Sequence, residues 1–211
     1  MEDRGSDGLW LDTTDAPAET YGANRAVPFV LHPGVLSASW WSNANSGRTD
    51  LPRRLPEFST LGLFEVDASF SPPEWQDGTG YHFRRTPRPG QGLLTGQPTI
   101  GLVLVLISAR SPDQRQQLRD WGDFVHIRHI VAASVPGYGM ITPYRQAGDA
   151  APHFLHLYEI DADDPEAVFQ SMTPLVQARL GRPGTPVYDD WASHPALRIE
   201  YVNTFRRVGH I

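Results

Sequence analysis

The chain reads as an α+β fold of two fused βαββαβ units whose sheets close a single barrel within one polypeptide. Three observations lead there. The sequence carries a degenerate copy of itself, each half shows strand and helix signals in the same order, and a βαββαβ unit leaves one apolar sheet face that a second sheet can cover. The first copy runs Arg25-Ala26-Val27-Pro28, His32-Pro33-Gly34-Val35, Trp41 and Leu61-Gly62-Leu63-Phe64-Glu65-Val66-Asp67. The second runs His126-Ile127, Val135-Pro136-Gly137-Tyr138, Tyr144-Arg145 and Leu155-His156-Leu157-Tyr158-Glu159-Ile160-Asp161. The Pro-Gly pairs lie 103 positions apart and the Glu-x-Asp ends 94, which places a loop about nine residues longer in the first half. The expected organisation is an N-terminal unit over 1–88, a linker over 89–98 and a C-terminal unit over 99–211 that carries the candidate site.

In the first half, strands are expected near Gly8–Asp12, Leu36–Ser42 and Thr60–Asp67, with a helix from about Pro17. Ser71-Pro72-Pro73-Glu74 has the ends of a capping box, but Gly78 and Gly80 would stop that helix within two turns. Tyr81–Thr86 closes the half. Thr99–Ala109 is apolar and β-branched almost throughout, as a strand covered on both faces should be. Ser111-Pro112-Asp113-Gln114 starts a helix, with Ser as cap, Pro at the first position and Gln reaching back. That helix runs through Trp121 towards Ile130. Tyr138–Gln146 and His153–Asp161 are strands, Asp164-Pro165-Glu166 caps a helix through Leu180, Gly181–Pro195 is a loop holding Tyr188, Trp191 and His194, and Leu197–Arg206 is the last strand.

Composition narrows the chemistry. A net charge of −6 offers no field for nucleic acid or anionic lipid. The longest apolar run, Ile100–Ile107, is far short of the ~20 residues of a membrane span. The polar, acidic start Met-Glu-Asp-Arg-Gly-Ser lacks the core of a secretory signal, so a cytoplasmic protein is expected. Cysteine is absent, which excludes disulfides and thiolate chemistry. Lysine is absent as well, which excludes a Schiff base and a phosphate-loop lysine. No dinucleotide glycine fingerprint follows a strand, and no nucleophile elbow is present.

The string Asp120-Trp121-Gly122-Asp123-Phe124-Val125-His126-Ile127, with Val135-Pro136-Gly137-Tyr138, Tyr144-Arg145 and Leu157-Tyr158-Glu159-Ile160-Asp161, resembles the ferredoxin-like dimeric α+β barrel superfamily, nearest its EthD-like, small polyketide-modifying branch. The match covers Thr99–Arg207 well and Gly8–Arg85 weakly. It implies a tandem of ferredoxin-like units, with a further homodimer left open. Members include cofactor-independent monooxygenases, isomerases, cyclases, lyases, haem enzymes and proteins without known activity, so the fold alone does not choose a reaction. The motif has Ile-Pro after its histidine, where this chain has Ile127-Arg128, and the motif histidine is Ala26 in the first half.

Candidate proton carriers are His126, His129, His156 and Tyr158, because imidazole titrates near neutrality and a phenol can donate to a developing oxyanion. The resemblance favours His126. Helical geometry favours His129, because Leu118, Trp121, Val125 and His129 share one stripe while His126 lies ~80° away on a regular helix. A bulge near Arg128 would bring both to the cavity. Phe154, His156 and Tyr158 share one strand face, where His156 replaces the Gly62 of the first half inside the barrel. Each of these groups also has a structural reading as a satisfied core or rim side chain. Trp121, Tyr144, Tyr188 and Trp191 are candidates to line an apolar substrate pocket. Trp40 and Trp41 must point opposite ways. Glu65 and Glu159, paired by the repeat, read as structural. No metal site is expected, since His153-x-x-His156 splits across a strand, and no cofactor is needed, with haem through one axial histidine a minor option. The inventory points to a cofactor-independent lyase, isomerase or cyclase acting on a small aromatic or polyketide-like molecule. The alternatives are a cofactor-free monooxygenase of phenols and a binding protein for a hydrophobic metabolite.

Overall fold

The computed structural model describes residues 6–73, 79–93 and 95–211. Eight antiparallel strands close a barrel in the order β4-β1-β3-β2-β9-β6-β8-β7: β1 Gly8–Thr14, β2 Val35–Asn43, β3 Thr60–Val66, β4 Thr79–Arg85, β6 Gly101–Ala109, β7 Tyr138–Gln146, β8 Phe154–Ile160 and β9 Leu197–His210. The pairing of Phe83, Arg84 and Arg85 with Gln146, Arg145 and Tyr144 joins β4 to β7 and completes the ring. Within residues 8–85 the strands lie fourth, first, third, second, and β9-β6-β8-β7 repeats that order. The linker is not wholly irregular, because β5, Gln91–Gly92, adds to β7 opposite Ile141 and Met140.

Four helices cover the outside among the described residues. The helix α1 over 18–29 is α-helical at Ala18–Tyr21, π-helical at Gly22–Ala26 and α-helical again at Val27–Phe29. The helix α2 over 115–132 has the same make-up: Arg115–Trp121, a π segment Gly122–His126, then Ile127–Ala132. A 3-10 turn, Pro112–Gln114, precedes it, and the expected reach-back of Gln114 does not form. Its side chain instead accepts the Ser111 hydroxyl at 3.0 Å. The helix α3, Pro165–Leu180, starts as its sequence dictates: Asp164 Oδ1 accepts the Ala167 N–H at 3.2 Å, and Gly181, at φ 97°, ends it. The helix α4, Pro186–Ala192, corrects the expectation of a loop over Gly181–Pro195. Pro186 occupies its first position, and Tyr188 and Trp191 are buried on its inner face. Residues 71–73 are not helical, and Glu74 and Gly78 of the expected short helix, like the Met1–Gly5 start, lie outside the described residues.

Strand alternation sorts side chains to the two sides of the ring. On β6, Leu102, Leu104 and Leu106 point into the barrel with Leu9, Leu63 and Phe205, whereas Val103 and Ile107 face the helices. Trp41 joins the barrel core, and Trp40 packs against α1, so the two indoles do separate. Side chains fill the lumen apart from a cavity of about 300 Å³ at one end, lined by Leu9, Leu63, Leu102 and Leu157 with Glu65 and Glu159. His156 and Tyr158 lie on the helix side of β8 with Ile160, which corrects their expected place inside the barrel: alternation tells that they share a face but not which face closure turns inward. Leu104 is fully buried, so Leu104→Ala is expected to cost 2–5 kcal/mol, read as a lower midpoint in chemical denaturation at unchanged slope.

Candidate functional site

A cavity of about 250 Å³ lies between the outer face of the second-half sheet and helices α2, α3 and α4. Val105, Ile107, His156 and Tyr158 form its floor, and Trp121, His126, Tyr188 and Trp191 its roof. Six of the eight residues singled out from sequence meet here. The other two do not. Tyr144 lies across the sheet in the barrel core at 1% exposure, and His129 is half-buried on α2 outside the cavity lining.

The π segment decides between the two helical histidines. Its i→i+5 bonding inserts one extra residue, which turns everything after it back by about 100° relative to a regular helix. That offsets the ~80° by which His126 misses the Leu118–Trp121–Val125 stripe, and it carries His129 off the same stripe by a similar angle. The bulge therefore falls at Gly122–His126 rather than near Arg128, and it selects one imidazole instead of admitting both. Gly122 permits it. A Cβ there would stand 2.9 Å from His156 Cε1, closer than real side chains tolerate.

His126 packs against two indoles. Its ring stacks on Trp191 at 5.4 Å and 5° and lies 5.1 Å from Trp121. Nδ1 is 3.0 Å from the Trp191 carbonyl, which can only accept, so Nδ1 carries the proton and Nε2 keeps its lone pair. The indoles bind backbone in return: Trp191 Nε1 donates to the His126 carbonyl at 3.2 Å and Trp121 Nε1 to the Asp190 carbonyl at 2.6 Å. Burial pulls the His126 pKa down to about 4, so the ring is neutral at physiological pH.

His156 is 4% exposed, and its Nε2 lies 3.6 Å from Oδ1 of Asp123, itself 1% exposed on the π segment. Asp123 was quoted in the motif string without a role. Its other oxygen accepts Arg88 Nη1 at 2.7 Å, and Arg88 also pairs with Asp120. Burial pushes the Asp123 carboxyl up, but His156 and the Arg88 guanidinium outweigh it and hold the group below the usual carboxylate range. Sequence spacing gave no sign of this contact, because Arg88 sits at the edge of the linker, 35 positions away. Burial raises the Tyr158 pKa well above its ordinary value, so its hydroxyl stays protonated. His153 does not join His156, since its Nδ1 accepts the Ala109 N–H at 3.1 Å. Glu65 and Glu159 lie elsewhere, accepting the Ser37 and Thr99 hydroxyls at one end of the barrel. Among the described residues no group of three or more His, Asp or Glu is placed to hold a metal ion, and no helix is long and apolar enough to cross a membrane.

No family model matches the sequence, and no curated protein does. Solved structures do. A candidate monooxygenase from Lactobacillus acidophilus matches with TM-score 0.55 at 9% identity over 97% of this chain and 95% of its own. A mutant chlorite dismutase from Candidatus Nitrospira defluvii matches at 0.53 and 8%, over 97% and 92%. A major regulator of staphylococcal pathogenesis matches at 0.52 and 9%, over 95% and 99%. At these identities the likeness establishes the α+β barrel fold.

The cavity lacks the groups that a haem would need. His126 could offer Nε2 as an axial ligand, but no arginine lines the cavity to pair with the two propionates. The residues do not fit haem, and hemin added to the purified protein is expected to give the spectrum of free hemin without a Soret shift.

The His126 environment has a thermodynamic signature. The unfolded imidazole binds its proton near 6.5 and the folded one at about 4, so the unfolded state holds more protons between those values. Stability is therefore complete above about pH 6.5 and falls as pH drops towards 4, by up to ~1.4 kcal/mol per pH unit. His126→Phe, which keeps the stack, should lessen the fall in urea midpoint between about pH 7 and about pH 5.

Proposed function

We propose that the protein binds a small aromatic or polyketide-like molecule in this cavity and moves a proton on it without a cofactor, as a lyase, isomerase or cyclase. The observation that carries this reading is His156: an imidazole in the floor of an apolar cavity, backed by a buried carboxylate that a guanidinium holds in place. A proton leaving an acidic C–H or O–H of the ligand passes to the His156 ring. Asp123 neutralises the imidazolium, as orienting carboxylates do in other proton-transfer sites. The electron pair moves onto the ligand oxygen, to which the Tyr158 hydroxyl donates. The imidazolium then returns the proton to another atom of the ligand. His126, neutral and packed against two indoles, is assigned to orient the ligand through Nε2 instead of serving as the base.

Two wider readings belong with this one. The repeated strand order and the paired π segments support two fused ferredoxin-like units, and the EthD-like assignment rests on the sequence motifs alone. The name of the L. acidophilus neighbour favours oxygenation as a second reaction, in which the same deprotonation yields an electron-rich anion. Dioxygen then oxidises a ring CH2 to a carbonyl with release of water.

The test uses anthrone in D2O. Native protein should speed loss of the methylene proton signal, and His156→Gln should slow it by about 100-fold. Asp123→Asn should also slow it, while Trp121 and Trp191 fluorescence still reports binding. Oxygen uptake during the reaction would move the assignment to the monooxygenase reading. Binding with exchange no faster than in buffer would overturn catalysis and leave a binding protein.

A further inference from the structure

We propose that Leu51, delivered by the first half of the chain, is the specificity-determining wall of the second-half cavity. The inference rests on that cavity being the ligand site.

The connection between β2 and β3 spans sixteen residues, 44–59, against seven, 147–153, between β7 and β8. The extra length does not form an idle surface loop. It leaves its own half and lies along β9 and α3. The Ala44 N–H donates to the Thr204 carbonyl at 2.9 Å, and Arg54 and Leu55 N–H both donate to the Glu200 carbonyl. Between those attachments Arg48 is 6% exposed. Its Nε donates to Asn203 Oδ1 at 3.1 Å, its Nη1 to Asp50, its Nη2 pairs with Glu166, and its guanidinium lies 4.6 Å from the Phe169 ring centroid. Glu166 accepts Thr204 Oγ1 at 2.7 Å as well, so the cation is neutralised and its neighbours are satisfied.

Leu51 sits between these anchors, half-buried, and lines the cavity beside Phe169 and Met172 of α3. Both flanks of the leucine are pinned to the barrel, so it acts as a fixed wall, unlike a lid that must open and close. A fixed branched apolar side chain in the lining limits the size of ligand that fits, and differences of one or two carbons in such a pocket are worth roughly tenfold or more in selectivity.

The experiment compares 2-naphthol, with two rings, and anthrone, with three, by quenching of Trp121 and Trp191 fluorescence. Leu51→Ala should tighten anthrone by about tenfold relative to 2-naphthol, and Leu51→Phe should reverse the preference. Leu31→Ala, 87% exposed and remote from the cavity, should change neither affinity. Arg48→Met should loosen the wall and blunt the size preference, with thermal unfolding and circular dichroism confirming that each variant folds. Native binding with the same size preference in both Leu51 variants would overturn the wall while leaving the proposed function standing. Native protein that quenches with neither probe would overturn both.

Discussion

A regular α-helix and the same helix with one residue inserted show different faces to whatever they cover. In α2 that single insertion, the π segment Gly122–His126, sets which side chains enter the cavity. Trp121 before it and His126 after it come to one side, Asp123 within it reaches Arg88 and His156, and His129 is turned out. The segment is kept by close packing. Gly122 has no Cβ and approaches His156, while Trp191 and Trp121 donate to backbone carbonyls and dock α4 on the same turn. Restoring i→i+4 register would cost these contacts together.

The first half shows the same device put to another use. Its π segment also begins at a glycine, Gly22, packed against the Trp40 indole. There, Tyr21 reaches over Gly62, the counterpart of His156, and its hydroxyl donates to the fully buried Asp12 at 2.8 Å; Arg25 donates to the other Asp12 oxygen. A phenol fills the space that the second half leaves open. In the second half Trp121 stands where Tyr21 does, and His156 in place of Gly62 brings a titratable ring to an open cavity.

Closure of the barrel ties the two halves together at this cavity. Arg88, from the end of the first unit, holds Asp123, and Leu51, from the long first-half connection, lines the cavity. A buried carboxylate is stable only if compensated, and its hydrogen-bonded cation, Arg88, comes from outside the second-half segment. The cavity therefore draws on the whole chain, even though every lining residue but Leu51 comes from residues 105–202.

Sequence by itself determined what depends on neighbours along the chain. The bounds of β7 agree residue for residue, Asp164-Pro165-Glu166 starts α3 through a cap bond that needs only three positions, and Trp40 and Trp41 part because adjacent strand residues must. Trp121, His126, His156 and Tyr158 could be placed on their helix and strand from residue type and position, whereas Tyr188 and Trp191 were expected in a loop and reach the cavity on α4. Tertiary structure decided the rest. Alternation groups Phe154, His156 and Tyr158 on one face, yet only closure of the ring turns that face to the helices. The seven-residue α4 is too short to be stable alone and depends on indole bonds across the fold. The π register differs from the α register by one hydrogen-bond step, a local difference too small to read; in the fold Gly122 packs against His156, 34 residues further on, and Gly22 against Trp40.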